Sequence, residues 1–295
     1  MTPRTPADRH PQPNGDNTPS PSGHSEGTLL HLENGGLYVR QDGPRHAPPL
    51  VLIHGSGASL RSWDALVPLL TAHHRVIRVD LPGHGRSPDP LDHDYATPRQ
   101  ARAVGAALDR LGVARATLVG HSSGGYSATA LAAERPGLVT ELVLINTGPG
   151  LDAFTGPGTV PIDPSQWPPT DEQIRAFASG AFHEGFEIPQ VMIDDLRGMT
   201  YEAFVSSMQS STGYLKERTL PDRLAPLGKS LLVIFGAEDR RWRPSSAADY
   251  GVVPGAKVEM LPGAGHTPIL EEPRQTAALL LAFTTRRNTA APSVT

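Results

Sequence analysis

The sequence predicts an α/β fold in which a mostly parallel sheet carries helices on both faces. Short runs of large apolar side chains alternate along the chain with amphipathic helical patterns, and such continuous apolar runs are typical of strands buried on both faces. Parallel strands need crossover connections, so the intervening helices must pack on the sheet. The length of 295 residues is sufficient to bury a substantial core.

The composition excludes several classes of function. The chain contains no cysteine, which excludes disulfide frameworks, thiolate zinc sites, iron–sulfur clusters and a cysteine nucleophile. A net charge of −4 argues against a nucleic-acid partner. No apolar run approaches the roughly 18 residues of a membrane helix, and the first residues lack the apolar core of a secretory signal. We therefore expect a cytoplasmic protein with neither a nucleic-acid nor a membrane partner.

The predicted elements begin after a disordered tail. Residues 1–27 are rich in Pro, Ser and Gly and have almost no large apolar side chains, so they cannot offset the entropy cost of ordering. A hairpin follows, with strands at 29–33 and 37–40 around Asn34-Gly35-Gly36. The remaining strands are predicted at 49–53, 76–79, 116–119, 142–145, 231–235 and 258–261. Helices are predicted at 62–72, 98–111, 124–135 and 275–285.

The alternation of strands and helices stops between residues 148 and 218. This stretch opens with a Gly- and Pro-rich segment and then shows three helical patterns, near 171–182, 189–197 and 201–210. We interpret 148–218 as a helical insertion that lies over the sheet. The core then comprises 28–147 and 219–287, and residues 288–295 are predicted to be disordered.

The best candidate for a nucleophile is Ser122. It lies in the G-x-S-x-G pattern at 120–124, which directly follows an apolar strand and precedes a helical pattern. In such a nucleophile elbow the serine occupies a tight turn, and the glycines allow close approach of strand and helix. Ser25 lies in a second match at 23–27, but no strand or helix flanks it. The flanking positions of Ser123 do not fit the pattern.

A serine hydroxyl needs a base to take its proton and a carboxylate to orient that base. Asp239 follows the predicted strand 231–235, and His266 follows the strand 258–261. The carboxyl ends of parallel strands meet at one edge of a sheet, so both side chains are expected near Ser122. Glu238 is the alternative acid. The residue after strand 142–145 is Asn146, not a carboxylate, which favours Asp239.

The segment His54-Gly55-Ser56-Gly57 follows the strand 49–53 and completes the predicted site. Its backbone lies above the same sheet edge, where the N–H groups of Ser56 and Ser123 are expected to form an oxyanion hole. We expect His54 to hold this loop by hydrogen bonding, not to act as a base.

Together these motifs resemble the α/β-hydrolase superfamily, in its lidded, esterase-like branch. The resemblance extends from about residue 29 to 283 and includes the segments at 54–57, 80–87, 120–124 and 263–266, Ser62-Trp63, and Asp239. It implies an eight-stranded, mostly parallel sheet with a helical cap inserted after the sixth strand. It also implies that Asp80 and His84 shape a loop near the site without catalytic roles.

The resemblance also disfavours some of the enzyme classes that share this fold. Haloalkane dehalogenases and epoxide hydrolases of this fold use an aspartate where this chain has Ser122. Meta-cleavage carbon–carbon hydrolases share the HGSG segment but usually continue with Pro-Gly and carry an aromatic residue after the catalytic histidine. Here Ala58-Ser59 and Thr267 stand at those positions.

The resulting expectation is a serine hydrolase that cleaves a carboxylic ester, lactone or related acyl bond of a small, largely apolar substrate. Neither a cofactor nor a metal is expected. The alternatives are a carbon–carbon bond hydrolase, an acyltransferase or cyclase, and a ligand-binding receptor that retains the triad.

The insertion is expected to form a wall of the substrate pocket. Most of its large side chains, however, are expected to join its helices to the core: Phe154, Trp167, Phe177, Phe182, Phe186, Met192, Tyr201, Phe204, Met208 and Tyr214. The basic run at 240–243 is interpreted as a solvated loop in preference to a carboxylate-binding segment.

Overall fold

The computed structural model of the protein describes residues 27–156 and 163–285. The two segments predicted to be disordered lie outside the described residues, apart from Gly27, and so does Ser25. None of the described helices combines the length and apolarity needed to cross a bilayer.

Eight strands form a single sheet, as the resemblance implies. They are β1 (Thr28–Leu32), β2 (Gly35–Asp42), β3 (Pro49–Ile53), β4 (Arg75–Val79), β5 (Ala116–His121), β6 (Val139–Ile145), β7 (Ser230–Gly236) and β8 (Lys257–Leu261). The strand order is β1-β2-β4-β3-β5-β6-β7-β8. β2 pairs antiparallel with β1 and β4, and all other pairs are parallel. The carboxyl ends of β3, β5, β6, β7 and β8 therefore meet at one edge.

Helices cover both faces of the sheet. The α-helices are α1 (Val67–Leu70), α2 (Thr97–Arg110), α3 (Gly124–Glu134), α4 (Asp171–Ala178), α5 (Gln190–Arg197), α6 (Tyr201–Glu217), α7 (Leu220–Leu224), α8 (Pro268–Glu271) and α9 (Pro273–Thr284). Short 3-10 helices lie at Leu60–Trp63, Leu151–Ala153, Pro164–Gln166, Ser179–Ala181, Ala225–Leu227 and Pro244–Val252.

Two apolar clusters fill the space between the sheet and these helices. One joins side chains such as Val104 of α2 and Leu131 of α3 to the sheet, and the other joins Leu70 of α1 and Leu280 of α9 to its opposite face. The prediction of a sheet covered on both faces is therefore confirmed.

The predicted helix at 62–72 is confirmed only in part. The chain there forms the 3-10 helix Leu60–Trp63 and, after a break, α1. The Leu60 N–H donates to Asp80 Oδ1 at 2.6 Å, and the Ser59 hydroxyl accepts from the Arg61 N–H at 3.1 Å. These contacts fix a tight turn directly after β3, so a tertiary interaction overrides the helical pattern of the sequence.

The described chain between β6 and β7 is helical and contains no strand. Its largest difference from prediction is α6, which continues seven residues past the predicted end at Ser210 to Glu217. A third apolar cluster lies within this part of the chain and includes Ile174 of α4, Ile193 of α5 and Phe204 of α6. Tyr95, which precedes α2, belongs to the same cluster, so the cluster joins the inserted helices to the core.

Candidate active site

Ser122 lies in the turn between β5 and α3 with a backbone φ of 51°. This left-handed conformation is uncommon for a residue with a side chain and is typical of a strained elbow. A Cβ added at Gly124 would lie 2.3 Å from the Ile53 carbonyl oxygen, and one at Gly120 would lie 2.5 Å from the Gly125 backbone. The glycines two residues before and after Ser122 are therefore required by the close approach of strand and helix.

The structure brings the three predicted side chains into one hydrogen-bonded chain. The Ser122 Oγ lies 2.9 Å from His266 Nε2, and His266 Nδ1 lies 2.9 Å from Asp239 Oδ2. Since an ionised carboxylate only accepts, Nδ1 carries the proton in the neutral imidazole and Nε2 accepts from the Ser122 hydroxyl. His266 and Asp239 are buried, whereas Ser122 is half-buried. This geometry allows the imidazole to take the serine proton.

Asp239 is held as a carboxylate acceptor. Its Oδ1 accepts from the backbone N–H groups of Arg241 at 2.7 Å and Trp242 at 3.0 Å, and its Oδ2 accepts from Asn146 Nδ2 at 2.7 Å. Burial alone would raise the pKa of Asp239, but the charge of His266 and the hydrogen bonds that the carboxylate accepts lower the pKa below its ordinary value. Glu238, the alternative acid, is exposed.

Asn146 is a site residue for which the sequence analysis predicted no role. Besides its bond to Asp239, its Nδ2 donates to the Gly265 carbonyl at 3.1 Å, and its Oδ1 accepts from the Gly236 N–H at 3.2 Å. It is completely buried and has a positive φ of 45° directly after β6. Asn146 thus joins the loops that carry the acid and the histidine. Its position after a buried strand was the available signal.

His121 is a second missed residue. Its Nε2–H donates to the His266 carbonyl at 2.8 Å, and its ring centroid lies 5.4 Å from that of His266. Burial and the charge of His266 lower the pKa of His121 to about 3, so it is neutral at ordinary pH. His121 therefore orients the backbone of His266 and does not supply a charge.

The loop after β3 lies against Ser122. A Cβ at Gly55 would be 2.9 Å from Ser122 Cβ. His54 Nδ1–H donates to the Gly55 carbonyl at 2.8 Å, and its Nε2 accepts from the Leu81 N–H at 3.0 Å. Burial and then the charge of His84 lower the pKa of His54 to about 3. His54 thus holds the loop in place as a neutral side chain.

The two N–H groups predicted to form the oxyanion hole differ in whether they already donate a hydrogen bond. The Ser56 N–H donates to the Ser123 hydroxyl oxygen at 2.7 Å, and the two hydroxyl oxygens lie 2.8 Å apart. For the Ser123 N–H, in contrast, no acceptor is present within the described residues. A substrate oxygen that is to bind the Ser56 N–H must first displace the Ser123 hydroxyl.

The inserted helices contact the histidine loop directly. The Thr267 hydroxyl donates to the Ala181 carbonyl at 2.7 Å. Glu271 Oε2 accepts from the backbone N–H groups of both His183, at 2.8 Å, and Gly265, at 2.7 Å. Thr267, which stands where the meta-cleavage hydrolases usually have an aromatic residue, therefore anchors the insertion.

The large side chains of the insertion mostly pack against one another and against core loops. The ring centroids of Phe177 and Phe204 are 5.8 Å apart, and those of Trp167 and Phe204 are 5.3 Å apart. Phe204 also lies 3.8 Å from a Cβ position at Gly57, in the loop after β3. These rings thus pack against one another, and Phe204 reaches the loop after β3.

A cleft of about 370 Å³ in the described chain lies elsewhere, between the N-terminal end of α2 and α6. Ser122, Asp239 and His266 do not line it. The candidate site is therefore defined by its side-chain geometry, not by this cleft.

Comparison with known protein families identifies the family of this chain. Residues 50–279 match the sequence profile of the alpha/beta hydrolase family. The chain belongs to this family.

Three relatives illustrate the range of chemistry associated with similar sequences. A putative 2-succinyl-6-hydroxy-2,4-cyclohexadiene-1-carboxylate synthase from Bacillus subtilis is 27% identical over 84% of this chain and 94% of its own length. A 2-hydroxy-6-oxononadienedioate/2-hydroxy-6-oxononatrienedioate hydrolase from Burkholderia vietnamiensis is 33% identical over 65% of this chain and 70% of its own. A pimeloyl-[acyl-carrier protein] methyl ester esterase from Aeromonas hydrophila is 28% identical over 77% and 92%, respectively. Family membership and these relatives support a hydrolase without specifying its substrate.

Proposed function

We propose that the protein is a serine hydrolase that cleaves a carboxylic ester, lactone or related acyl bond of a small, largely apolar molecule. The main support is the continuous hydrogen-bonded chain from the Ser122 hydroxyl through His266 to the buried Asp239 carboxylate. Such a chain activates a serine without a metal or an organic cofactor.

In the proposed reaction, Ser122 Oγ attacks the substrate carbonyl carbon while His266 Nε2 accepts the hydroxyl proton. Asp239 stabilises the imidazolium that forms, and His266 then protonates the departing alcohol oxygen. In the second half, His266 takes a proton from water, whose oxygen attacks the acyl carbon. The bond to Ser122 then breaks, His266 returns the proton to Ser122 Oγ, and the acid is released.

The N–H groups of Ser56 and Ser123 are proposed to bind the oxyanion of each tetrahedral intermediate. Each such donor typically contributes about 10²- to 10³-fold in rate. The predicted unit 148–218 is proposed as a cap, because Phe204 contacts the loop after β3 and the segment near Ala181 contacts the loop after β8. A cap that excludes water strengthens the electrostatic interactions within the site.

Labelling with a serine-directed fluorophosphonate tests this function. We expect one label on the wild type by intact mass, none on Ser122→Ala, and unchanged labelling of Ser25→Ala, which alters the second G-x-S-x-G match. Label retained by Ser122→Ala would remove the nucleophile assignment. A panel of aryl esters of graded acyl length would then define the size of the pocket.

Carbon–carbon bond hydrolysis is the second candidate, favoured by the HGSG segment and by the 33% identity to the Burkholderia hydrolase. Ala58, Ser59 and Thr267 depart from the pattern usual in that branch.

An acyltransferase or cyclase would use the same acyl-enzyme but pass the acyl group to an alcohol. Product analysis with and without an added alcohol separates transfer from hydrolysis.

The non-enzymatic alternative is a ligand-binding receptor that retains the triad. Multiple turnover on simple esters supports the enzyme. A single slow turnover, accompanied by a ligand-dependent rise in Tm, would instead support the receptor.

We expect Ser123→Ala to raise kcat/KM for small esters about fivefold. The Ser123 hydroxyl occupies the Ser56 N–H at 2.7 Å, and displacing one neutral hydrogen bond costs about 1 kcal/mol, or about fivefold in rate. Alanine retains the Ser123 N–H. Steady-state kinetics with 4-nitrophenyl acetate measure the effect, with the exposed Ser245→Ala as the control. A lower rate would mean that the hydroxyl itself binds the oxyanion.

A further inference from the structure

Arg241 belongs to the basic run at 240–243 but is not part of a solvated loop. Its neighbours Arg240 and Arg243 are exposed, whereas Arg241 is half-buried and its Nε is inaccessible to solvent. The interpretation of the whole run as a solvated loop is therefore wrong at this position. The Arg241 backbone N–H donates to Asp239 Oδ1, and its side chain is partly covered by Phe177.

The guanidinium of Arg241 has few partners. Its Nη2 donates to the Phe177 carbonyl at 3.2 Å, and its Cζ lies 5.0 Å from the centroid of the Phe177 ring. Its Nε has no hydrogen-bond partner, and across 27–156 and 163–285 no carboxylate lies within 4.0 Å of it. A guanidinium has five N–H donors, so most of its capacity is unused.

The two buried arginines of the described residues have more partners than Arg241. Arg78 forms ion pairs with Asp42 and Asp64, and Arg75 donates three hydrogen bonds, to Gln41 Oε1 and to the Leu111 carbonyl. Burial lowers the pKa of Arg241, and the charge of Asp239 only partly offsets this effect. Burying a charge even partly without a paired group is costly, and within the described residues no anion is paired with this guanidinium.

The guanidinium lies in the layer between the inserted helices and the candidate active site. On one side it contacts Phe177 of α4. The Phe177 ring packs against Phe204, which reaches Gly57 in the loop after β3. On the other side its own backbone N–H donates to Asp239 Oδ1 at 2.7 Å. The guanidinium therefore lies where the inserted helices meet the loop that carries Asp239.

From this placement we propose that Arg241 binds a carboxylate of the substrate while Ser122 attacks the ester carbonyl. The proposal rests on the proposed hydrolase function and names its substrate class: esters or related acyl compounds that also carry a free carboxylate. The planar guanidinium can donate two parallel hydrogen bonds to a carboxylate, and such charge-assisted bonds are the strong ones. The remainder of the substrate is apolar, in keeping with Phe177 and Phe204.

Two pairs of matched esters test the proposal. For an acyl-side carboxylate, 4-nitrophenyl hydrogen glutarate is compared with 4-nitrophenyl valerate, which has the same chain length without the charge. For an alcohol-side carboxylate, the valerate ester of 3-hydroxybenzoate is compared with that of 3-hydroxybenzamide. We expect the wild type to prefer the carboxylate in at least one pair by tenfold or more in kcat/KM.

In Arg241→Gln this preference should fall at least tenfold, while kcat/KM for the neutral esters stays within threefold. Arg243→Gln is the matched control, because Arg243 lies in the same run but is exposed, and it should leave both rates unchanged. Arg241→Lys, which keeps the charge but not the planar pair of donors, should retain part of the preference. Equal losses on charged and neutral esters in Arg241→Gln would overturn the proposal.

A measurement on the wild type keeps the proposal testable if Arg241→Gln does not fold. Glutarate should inhibit ester hydrolysis competitively, and at least tenfold more strongly than the neutral diamide glutaramide. Equal inhibition by the two, or wild-type indifference to the carboxylate in both ester pairs, contradicts the role of Arg241. Retention of activity by Ser122→Ala would instead contradict the proposed function, so the two failures are distinguishable.

Discussion

Ser122→Ala is expected to lower kcat for ester hydrolysis by about 10⁴- to 10⁶-fold, and His266→Ala by a similar factor. The physical reason is that neither group works alone. The hydroxyl is a weak nucleophile without the Nε2 that lies 2.9 Å away, and the imidazole has no proton to accept without the hydroxyl. The double variant Ser122→Ala/His266→Ala should therefore be no slower than either single variant.

Single-turnover and steady-state kinetics on one aryl ester measure this non-additivity, and Ser25→Ala, with wild-type rates, serves as the serine control. Losses that multiply in the double variant would mean that the two residues act independently. That result would contradict a shared proton-transfer step, whatever the size of each single loss.

Asp239→Asn is expected to lower kcat by about 10⁴-fold while the fold is retained. An amide at this position can donate toward His266 Nδ1 and so favour the tautomer whose proton lies on Nε2, which cannot accept from Ser122. Kinetics and thermal unfolding of the variant check the two parts of the prediction. Glu238→Gln is the matched control, since Glu238 is the adjacent exposed acid, and its rate should stay within threefold of the wild type.

The lowered pKa of Asp239 fixes the direction of a pH effect. A carboxylate whose pKa is lower in the folded than in the unfolded chain stabilises the fold above its unfolded pKa. This contribution is lost as the pH falls through the folded value. Asp239→Asn should therefore remove part of the pH dependence of stability at acid pH, but none of it near neutrality.

The features that could be predicted from sequence are those set by local pattern and chain direction. β3 has the predicted bounds Pro49–Ile53, because its short apolar run ends clearly at the following His-Gly. The meeting of Ser122, Asp239 and His266 follows from the rule that parallel strands end at one edge. This rule needs only the strand ends, which the sequence marks clearly.

Features set by contacts between distant residues were not predictable. The helical pattern predicts an end at Ser210, yet Tyr214 and Leu215 are buried in the core cluster and extend α6. The occupation of the Ser56 N–H by the Ser123 hydroxyl depends on the orientation of one side chain. The burial of Arg241 depends on packing by α4, which lies 64 residues earlier.

The bonds between the histidine loop and the segment near Ala181 constrain how substrate reaches the site. The Thr267 hydroxyl and the Glu271 carboxylate join the insertion to the residues on either side of His266. An outward swing of that segment must either break these bonds or drag the imidazole away from Ser122. Entry of substrate past the segment near Ala181 would therefore separate His266 from Ser122. Entry elsewhere along the insertion would leave the hydrogen bond between them intact and would cost less free energy.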